Sequence, residues 1–135
     1  MTPPEATGTR QTDGAGTAPA ATLYMERLRK RPDFLAAARS RRQVTPGFIL
    51  QARDRRDASA RVRVGFTCSK KLGNAVIRNR AKRRLRALAH AYLRPGALPG
   101  WDYVLIGRPG VTVSRDLTAM AGDLSLALAR IHGPR

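Results

Sequence analysis

The segment from Ser69 to Leu88 carries the residues best suited to chemistry, and the chemistry they suit is the binding of phosphate groups. No acidic residue occurs from Ala58 up to Asp102. An ordinary exposed helix mixes both signs of charge and gains i,i+4 ion pairs worth about 0.2–0.5 kcal/mol each, which this segment cannot form. We therefore expect a polyanionic partner to neutralise it. The basic residues of the acid-free span are Arg61, Arg63, Lys70, Lys71, Arg78, Arg80, Lys82, Arg83, Arg84, Arg86 and Arg94.

The spacing of these cations predicts that they project from two sides of one packed helix, which turns by about 100° per residue. A narrow apolar stripe is left to face a sheet, and it consists of Ile77, Ala81, Leu85, Leu88 and Tyr92. The two basic sides are formed by Arg78, Lys82 and Arg86 and by Arg80, Arg83 and Arg84. Such a helix can touch two phosphate-rich surfaces at once.

The residues just before this helix form a second candidate phosphate site, and they are Lys70, Lys71, Gly73 and Asn74. A helix N-terminus presents free backbone N–H groups and a partial positive charge. Glycine also allows the backbone to approach a ligand closely. The alternative interpretation is an ordinary turn between a strand and a helix, with solvated lysines.

The formal net charge of +17 on 135 residues is the main feature of the composition. Self-repulsion of that size destabilises a compact monomer, so the partner is expected to be nucleic acid or an anionic membrane. Arginine dominates, which suits forked phosphate contacts, although high-GC coding would also favour it. The length fits one compact domain.

Several classes of protein are disfavoured by the sequence. It has no run of about 18 apolar residues, the length of a membrane span, and no secretory signal pattern, so a cytoplasmic protein is expected. A membrane-surface helix is disfavoured because the sheet needs the apolar stripe of the basic helix.

The chain is poor in catalytic and metal-ligating side chains. Cys68 is the only cysteine, which excludes an intrachain disulfide and a cysteine-based zinc cluster. Its neighbours indicate a small buried hydrophobe in a strand rather than a reactive thiol. His90 and His132 are interpreted as surface residues rather than general bases. We expect no catalytic residue, metal ligand or cofactor in the protein alone.

Apolar periodicity and turn residues divide the chain into a disordered tail, 1–22, and one domain, 23–132. A last helix is predicted to begin at a Ser114 cap, with Asp116 in its first turn. The other predicted elements are helices over 33–39 and 75–93 and strands over 48–53, 61–69 and 103–108. Together they predict a two-layer α+β sandwich with the helices on one face of a small sheet.

The sequence SKKLGNAVIRNRAKRRLRAL, residues 69–88, resembles the signature of the bacterial ribonuclease P protein subunit family. The flanking RVGFTCSKK and DYVLIGR segments and the short helix with Asp33 and Phe34 also resemble their family counterparts. The resemblance covers about residues 25–131 and keeps these motifs in the family's order.

The resemblance implies the fold of the second domain of ribosomal protein S5. In chain order this is a helix, three strands, the basic helix, a fourth strand and a final helix. It also implies a left-handed crossover through the basic helix, although crossovers between parallel strands are usually right-handed.

The resemblance further implies a role in removing the 5′ leader of precursor tRNA. In the family, the RNA subunit hydrolyses the phosphodiester with bound magnesium. The implied partners are ribonuclease P RNA and precursor tRNA, with no membrane and no obligate protein partner. Phe34 and Phe48 would help line the leader cleft, although Phe48 fits the core equally well. The residues implied to contact RNA are Lys70, Lys71, Arg78, Asn79, Arg80, Lys82, Arg83 and Arg86.

One position departs from the family pattern, because Gln51 stands where the family often has an aromatic residue. The alternative function is that of a ribosomal or ribosome-associated RNA-binding protein without a role in catalysis. Such a protein would share the charge and the fold class, but not the ordered series of motifs.

Overall fold

The computed structural model describes residues 25–133, which form five strands and three α-helices. The helices and the strands at 48–54, 62–67 and 101–107 lie within two residues of the predicted bounds, whereas no bounds were predicted for the strands at 25–27 and 41–44. The predicted tail, 1–22, lies outside the described residues. The elements are β1 (Met25–Arg27), α1 (Arg31–Ala38), β2 (Arg41–Val44), β3 (Phe48–Asp54), β4 (Val62–Thr67), α2 (Ala75–Tyr92), β5 (Trp101–Gly107) and α3 (Leu117–His132).

The strands form one mixed sheet in the order β1-β4-β5-β3-β2. β1, β4 and β5 are parallel, whereas β3 is antiparallel to both β5 and β2. The basic helix α2 joins the parallel neighbours β4 and β5. The predicted α+β class is confirmed. β1 is an addition to the strands that the resemblance implies, since its three residues are too few to show an alternating pattern.

One face of the sheet carries the main core, which α2 and α3 cover. Alternate residues of the strands point to this face, and Phe48, Leu50 and Tyr103 are fully buried there. Burial of one large apolar side chain contributes about 1.5–3 kcal/mol. The predicted packing of the two long helices on one face is therefore confirmed.

The short helix α1 packs on the opposite face, so the prediction that all helices share one face is wrong. Phe34 and Ala37 of α1 belong to a second cluster with Val104 and Ile106 of β5. β5 is apolar on both faces, which is typical of a strand that is covered on both sides. Gly65 makes room for α1, because a Cβ there would lie 2.6 Å from Phe34 Cε1.

The apolar stripe of α2 differs from the predicted one at its C-terminal end. Ala81, Leu85 and Leu88 are buried as predicted, but Tyr92 is 45% exposed. Ala89 takes its place in the core, because position 89 lies one full turn beyond Leu85 and closer to the centre of the buried face.

The last helix, α3, begins later than predicted because Asp116, and not Ser114, is its N-cap. Asp116 Oδ2 accepts a hydrogen bond from Ala119 N at 3.2 Å. Ser114 Oγ instead donates to Gly110 O at 2.6 Å, inside the preceding turn. Asp and Ser are similarly good caps, so the bonds of this turn decided between them.

Candidate RNA interface

The cations of α2 form no ion pairs with carboxylates among residues 25–133. Five of the seven acidic side chains in this part of the chain pair instead with arginines outside α2. The carboxylates occupied in this way are Glu26, Asp33, Asp57, Asp102 and Asp123. The positive charge predicted for this helix is therefore present and stays uncompensated within the described fold.

Asp102 shows why these carboxylates are unavailable to α2. It is fully buried and accepts hydrogen bonds from Arg63 Nε at 2.7 Å and Arg55 Nη1 at 2.8 Å. The hydrogen bond from Arg63 to Asp102, together with the negative charges of Asp102 and Asp33, raises the pKa of Arg63. Asp33 Oδ2 lies 3.3 Å from Arg63 Nη1 and ties α1 to the sheet. Breaking a buried pair costs about 3–5 kcal/mol, so the cluster is committed to the fold.

The residues implied to contact RNA lie together on α2 and on the 3-10 turn before it, Lys70–Leu72. Ser69 Oγ accepts a hydrogen bond from Lys71 N at 3.3 Å and holds this turn. Two of the predicted residues, Arg78 and Lys82, are half-buried. The exposed ones are Lys70, Lys71, Asn79, Arg80, Arg83 and Arg86. Their placement suits phosphate contact, which itself stays a prediction.

The start of α2 is built by Gly73 and Asn74. Gly73 has φ +137°, a conformation that side chains rarely adopt, and a Cβ there would lie 3.0 Å from Ile77 Cδ1. Asn74 Oδ1 accepts a hydrogen bond from Ile77 N at 3.0 Å. This cap satisfies one of the four N–H groups that a helix start leaves unpaired.

Two arginines of α2 have environments that their sequence positions did not reveal. Arg84 Nε donates to Thr112 O at 2.9 Å, and its Nη2 donates to Arg115 O. It therefore anchors the loop before α3 and is not a free surface cation as the helical spacing predicted. Arg78 Nε is buried and has no hydrogen-bond acceptor among the described residues. Such a donor costs free energy until an acceptor reaches it.

A cleft of about 430 Å³ lies beside α1 and is lined by Arg27, Leu28, Arg29, Phe34 and Phe66. Both phenylalanines are half-buried, so each keeps part of its ring accessible. The Arg86 guanidinium lies 5.9 Å from the Phe66 ring centroid and connects this cleft with α2. Sequence reasoning missed Phe66 because the alternation of β4 assigned it to the core. Its position near the edge of the sheet leaves it only partly covered.

Phe48 does not line this cleft, so the role assigned to it by resemblance is corrected. It is fully buried in the main core, beneath α2 and α3. Phe48 points to the same side of β3 as Leu50 and Ala52, which belong to that core as well. Gln51 points to the other side of the sheet and is half-buried.

The histidines and the cysteine have distinct environments. His90 is exposed as predicted, but His132 is half-buried, with its Nε2 2.7 Å from Tyr103 Oη and its ring 4.5 Å from Trp101. The surface interpretation of His132 is therefore wrong, because α3 extends to that residue and packs it on the sheet. Cys68 packs against the main core, and burial raises the pKa of its thiol.

Among residues 25–133, no three side chains of His, Cys, Asp or Glu come close enough together to hold a metal ion. None of the helices in this range has the length and apolar character that crossing a membrane requires.

These features define the class: a small, strongly basic α+β protein with an acid-free helix suited to binding a polyanion. The ribonuclease P family model matches residues 24–132. The chain belongs to the ribonuclease P protein family, which confirms the resemblance read from its motifs.

The relatives agree with this assignment. The chain is 57% identical over 109 residues to the ribonuclease P protein component of Ruegeria pomeroyi, covering 80% of this chain and 87% of that one. It is 50% identical over 107 residues to the corresponding protein of Caulobacter vibrioides, covering 79% and 71%.

Two solved structures share the fold. The RNase P protein of Thermotoga maritima aligns with a TM-score of 0.65 at 28% identity, covering 80% of this chain and 99% of that one. The RNase P protein of Staphylococcus aureus aligns with a TM-score of 0.62 at 24% identity, covering 79% and 97%.

Proposed function

We propose that this chain is the protein subunit of ribonuclease P, which binds the RNA subunit and helps it remove the 5′ leader of precursor tRNA. The observation that carries the proposal is the row of α2 cations without carboxylate partners among residues 25–133. RNA phosphates compensate these cations, and each neutralised phosphate releases counterions. Contacts of this kind position an RNA without reading its sequence.

In this proposal the RNA performs the hydrolysis, and magnesium bound to that RNA supplies the metal chemistry. The protein contributes binding, orientation and charge. Residues Lys70, Arg80 and Arg83 neutralise phosphates that would otherwise repel one another in the folded RNA. The compartment we propose is the cytoplasm, where transfer RNA is matured in bacteria.

The leader of precursor tRNA is proposed to bind in the cleft beside α1. Phe34 and Phe66 offer ring faces to single-stranded bases, while Arg27 and Arg29 lie beside them for the backbone phosphates. Stacking of one base on an aromatic side chain is worth about 1–3 kcal/mol. Phe66 takes the place in the leader cleft that the resemblance gave to Phe48.

Reconstitution with a bacterial ribonuclease P RNA tests the proposal. We expect the protein to lower the magnesium concentration at which precursor tRNA is cleaved, because its cations take over part of the charge neutralisation. Cleavage is followed at a fixed RNA concentration across a magnesium titration, with and without protein.

A matched variant sharpens this experiment. Replacement of Arg80 and Arg83 by Ala removes two exposed cations without ion pairs among the described residues, so the fold is retained and the magnesium requirement rises toward that of RNA alone. A folded wild-type protein that gives no stimulation would contradict the proposal and favour a ribosomal RNA-binding protein.

A further inference from the structure

A second cluster of arginines surrounds a cleft at the end of the sheet, between the end of α1, the start of β2 and the end of β3. The cleft has a volume of about 320 Å³, which falls within the range of about 300–1,000 Å³ common for ligand pockets. Its lining includes Arg39, Arg41, Arg53, Arg56, Asp54 and Trp101.

The charge of this cleft is strongly positive. Four arginines line it together with one carboxylate, that of Asp54, and Asp54 Oδ1 already accepts a hydrogen bond from Arg56 N at 3.0 Å. Arg39, Arg41 and Arg56 form no ion pair with any carboxylate among residues 25–133. A concave site lined by one sign of charge concentrates counter-ions of the other sign.

Part of the cleft is held in place before any ligand binds. Arg41 Nη1 donates to Ile131 O, and its guanidinium lies 5.6 Å from the Trp101 ring centroid. Arg53 Nη1 lies 3.8 Å from an Asp33 oxygen and 3.9 Å from an Asp102 oxygen. An arginine has five N–H donors, so these contacts leave several free. A pre-ordered side chain loses less entropy when it binds.

The backbone at Arg56 gives independent support. Arg56 has φ +56° and is the non-glycine residue with positive φ among those described. The left-handed region is costly for such a residue and is found where the surroundings require it. At this turn a glycine would adopt the same backbone conformation without strain. The chain has Arg56 instead, which adds a fourth arginine to the wall of the cleft.

We propose that this arginine cleft binds a phosphodiester group of an RNA strand, at a site separate from α2. The proposal rests on the proposed function, because it assigns a second contact to the same RNA-binding protein. β5 runs from Trp101 at the cleft to Gly107, which packs against Leu72 in the turn before α2. Six residue steps of about 3.3 Å separate the two contacts by about 20 Å, so one RNA can engage both.

Trp101 is the only tryptophan of the chain, so its fluorescence reports on the cleft. The probe is inorganic pyrophosphate, titrated at low ionic strength into the wild-type protein. We expect a saturable change in emission. The test variants are Arg39→Gln and Arg56→Gln, and each should weaken this binding by about tenfold, the effect of one lost charge-assisted hydrogen bond.

Arg130→Gln is the matched control, since Arg130 is an exposed arginine of α3 that does not line the cleft. It removes the same charge and should leave the titration unchanged. Equal affinities in all these proteins, or an equal loss in the control, would overturn the cleft as a phosphate site. So would a loss in the Arg80→Ala, Arg83→Ala double variant as large as that in Arg39→Gln.

The RNA itself is tested through the salt dependence of binding to ribonuclease P RNA. Loss of one phosphate contact lowers the slope of log K against log salt by about 0.7–0.9, and we expect this change in Arg39→Gln but not in Arg130→Gln. If the wild-type protein has no RNA affinity, the proposed function fails and the RNA occupant of the cleft fails with it. If the wild type binds steeply and Arg39→Gln keeps its slope, the cleft proposal alone is overturned.

Discussion

At the scale of single residues, side chains of the same type differ in burial and in their partners according to where the fold places them. Phe34 and Phe48 are both phenylalanines in apolar surroundings, yet Phe48 is fully buried and Phe34 keeps part of its ring exposed in the cleft. Arginines divide in the same way. Arg63 is bound to a buried carboxylate, whereas Arg80 is exposed on α2.

The replacement Phe34→Leu tests the leader cleft at this scale. Leucine keeps apolar volume beside Gly65 but offers no ring for stacking, so we expect precursor tRNA binding by the holoenzyme to weaken by about tenfold, equivalent to about 1.4 kcal/mol. Binding of mature tRNA, which lacks the leader, should not change. Equal losses for both RNAs would show that Phe34 acts only through the fold.

At the scale of elements, short hydrogen-bonded caps fix where the helices begin. Asn74 caps α2 and so fixes the residue at which this helix begins. Asp116 caps α3, and Arg84 of α2 binds the loop just before it. The basic helix is therefore held from both its start and its middle, which keeps its outer cations in a fixed arrangement.

Asp116→Ala and Ser114→Ala separate the two candidate caps of α3. We expect Asp116→Ala to lower the free energy of unfolding by about 0.5–2 kcal/mol, because it removes the N-cap bond to Ala119 N. Ser114→Ala should cost less, since its hydroxyl donates to Gly110 O at an exposed turn. Urea unfolding measures both, and a larger effect at Ser114 would contradict the assignment of the cap.

At the scale of the whole molecule, the net charge of +17 is distributed unevenly. Carboxylates such as Asp102 form ion pairs with arginines of the strands and loops. The positive charges of α2 and most of those in the arginine cleft have no carboxylate partner among the described residues. Ion pairs thus stabilise the fold at the strands and loops, while like charges repel one another along α2 and in the arginine cleft. We expect RNA binding to relieve that repulsion, so that RNA affinity and protein stability are linked.

Salt should therefore stabilise the free protein. Raising NaCl from about 0.1 M to 1 M shortens the screening length from about 10 Å to 3 Å and weakens the repulsion along α2. Each 1 kcal/mol gained raises the melting temperature by about 4–8 °C in a domain of this size. Thermal unfolding monitored by circular dichroism measures the change. A melting temperature that falls with salt would mean that the ion pairs around Asp102 outweigh the repulsion.

Much of the site and fold followed from the sequence alone, because these features are local. The absence of acidic residues around α2, the alternation of β4 and the glycine-rich turns act over a few neighbouring positions. They predicted the bounds of the helices and of β3, β4 and β5 to within two residues, as well as the positive face of α2 and the family motif around Arg78 and Arg80.

Only the tertiary structure decided the features that depend on distant parts of the chain. The face on which α1 packs, the burial of Phe48 and the anchoring role of Arg84 each require contacts between elements far apart in sequence. The arginine cleft joins Arg39 and Arg56 from separate segments across the end of the sheet. Periodicity in the sequence predicts which face of its own element a side chain occupies, but the packing of other elements decides what covers that face.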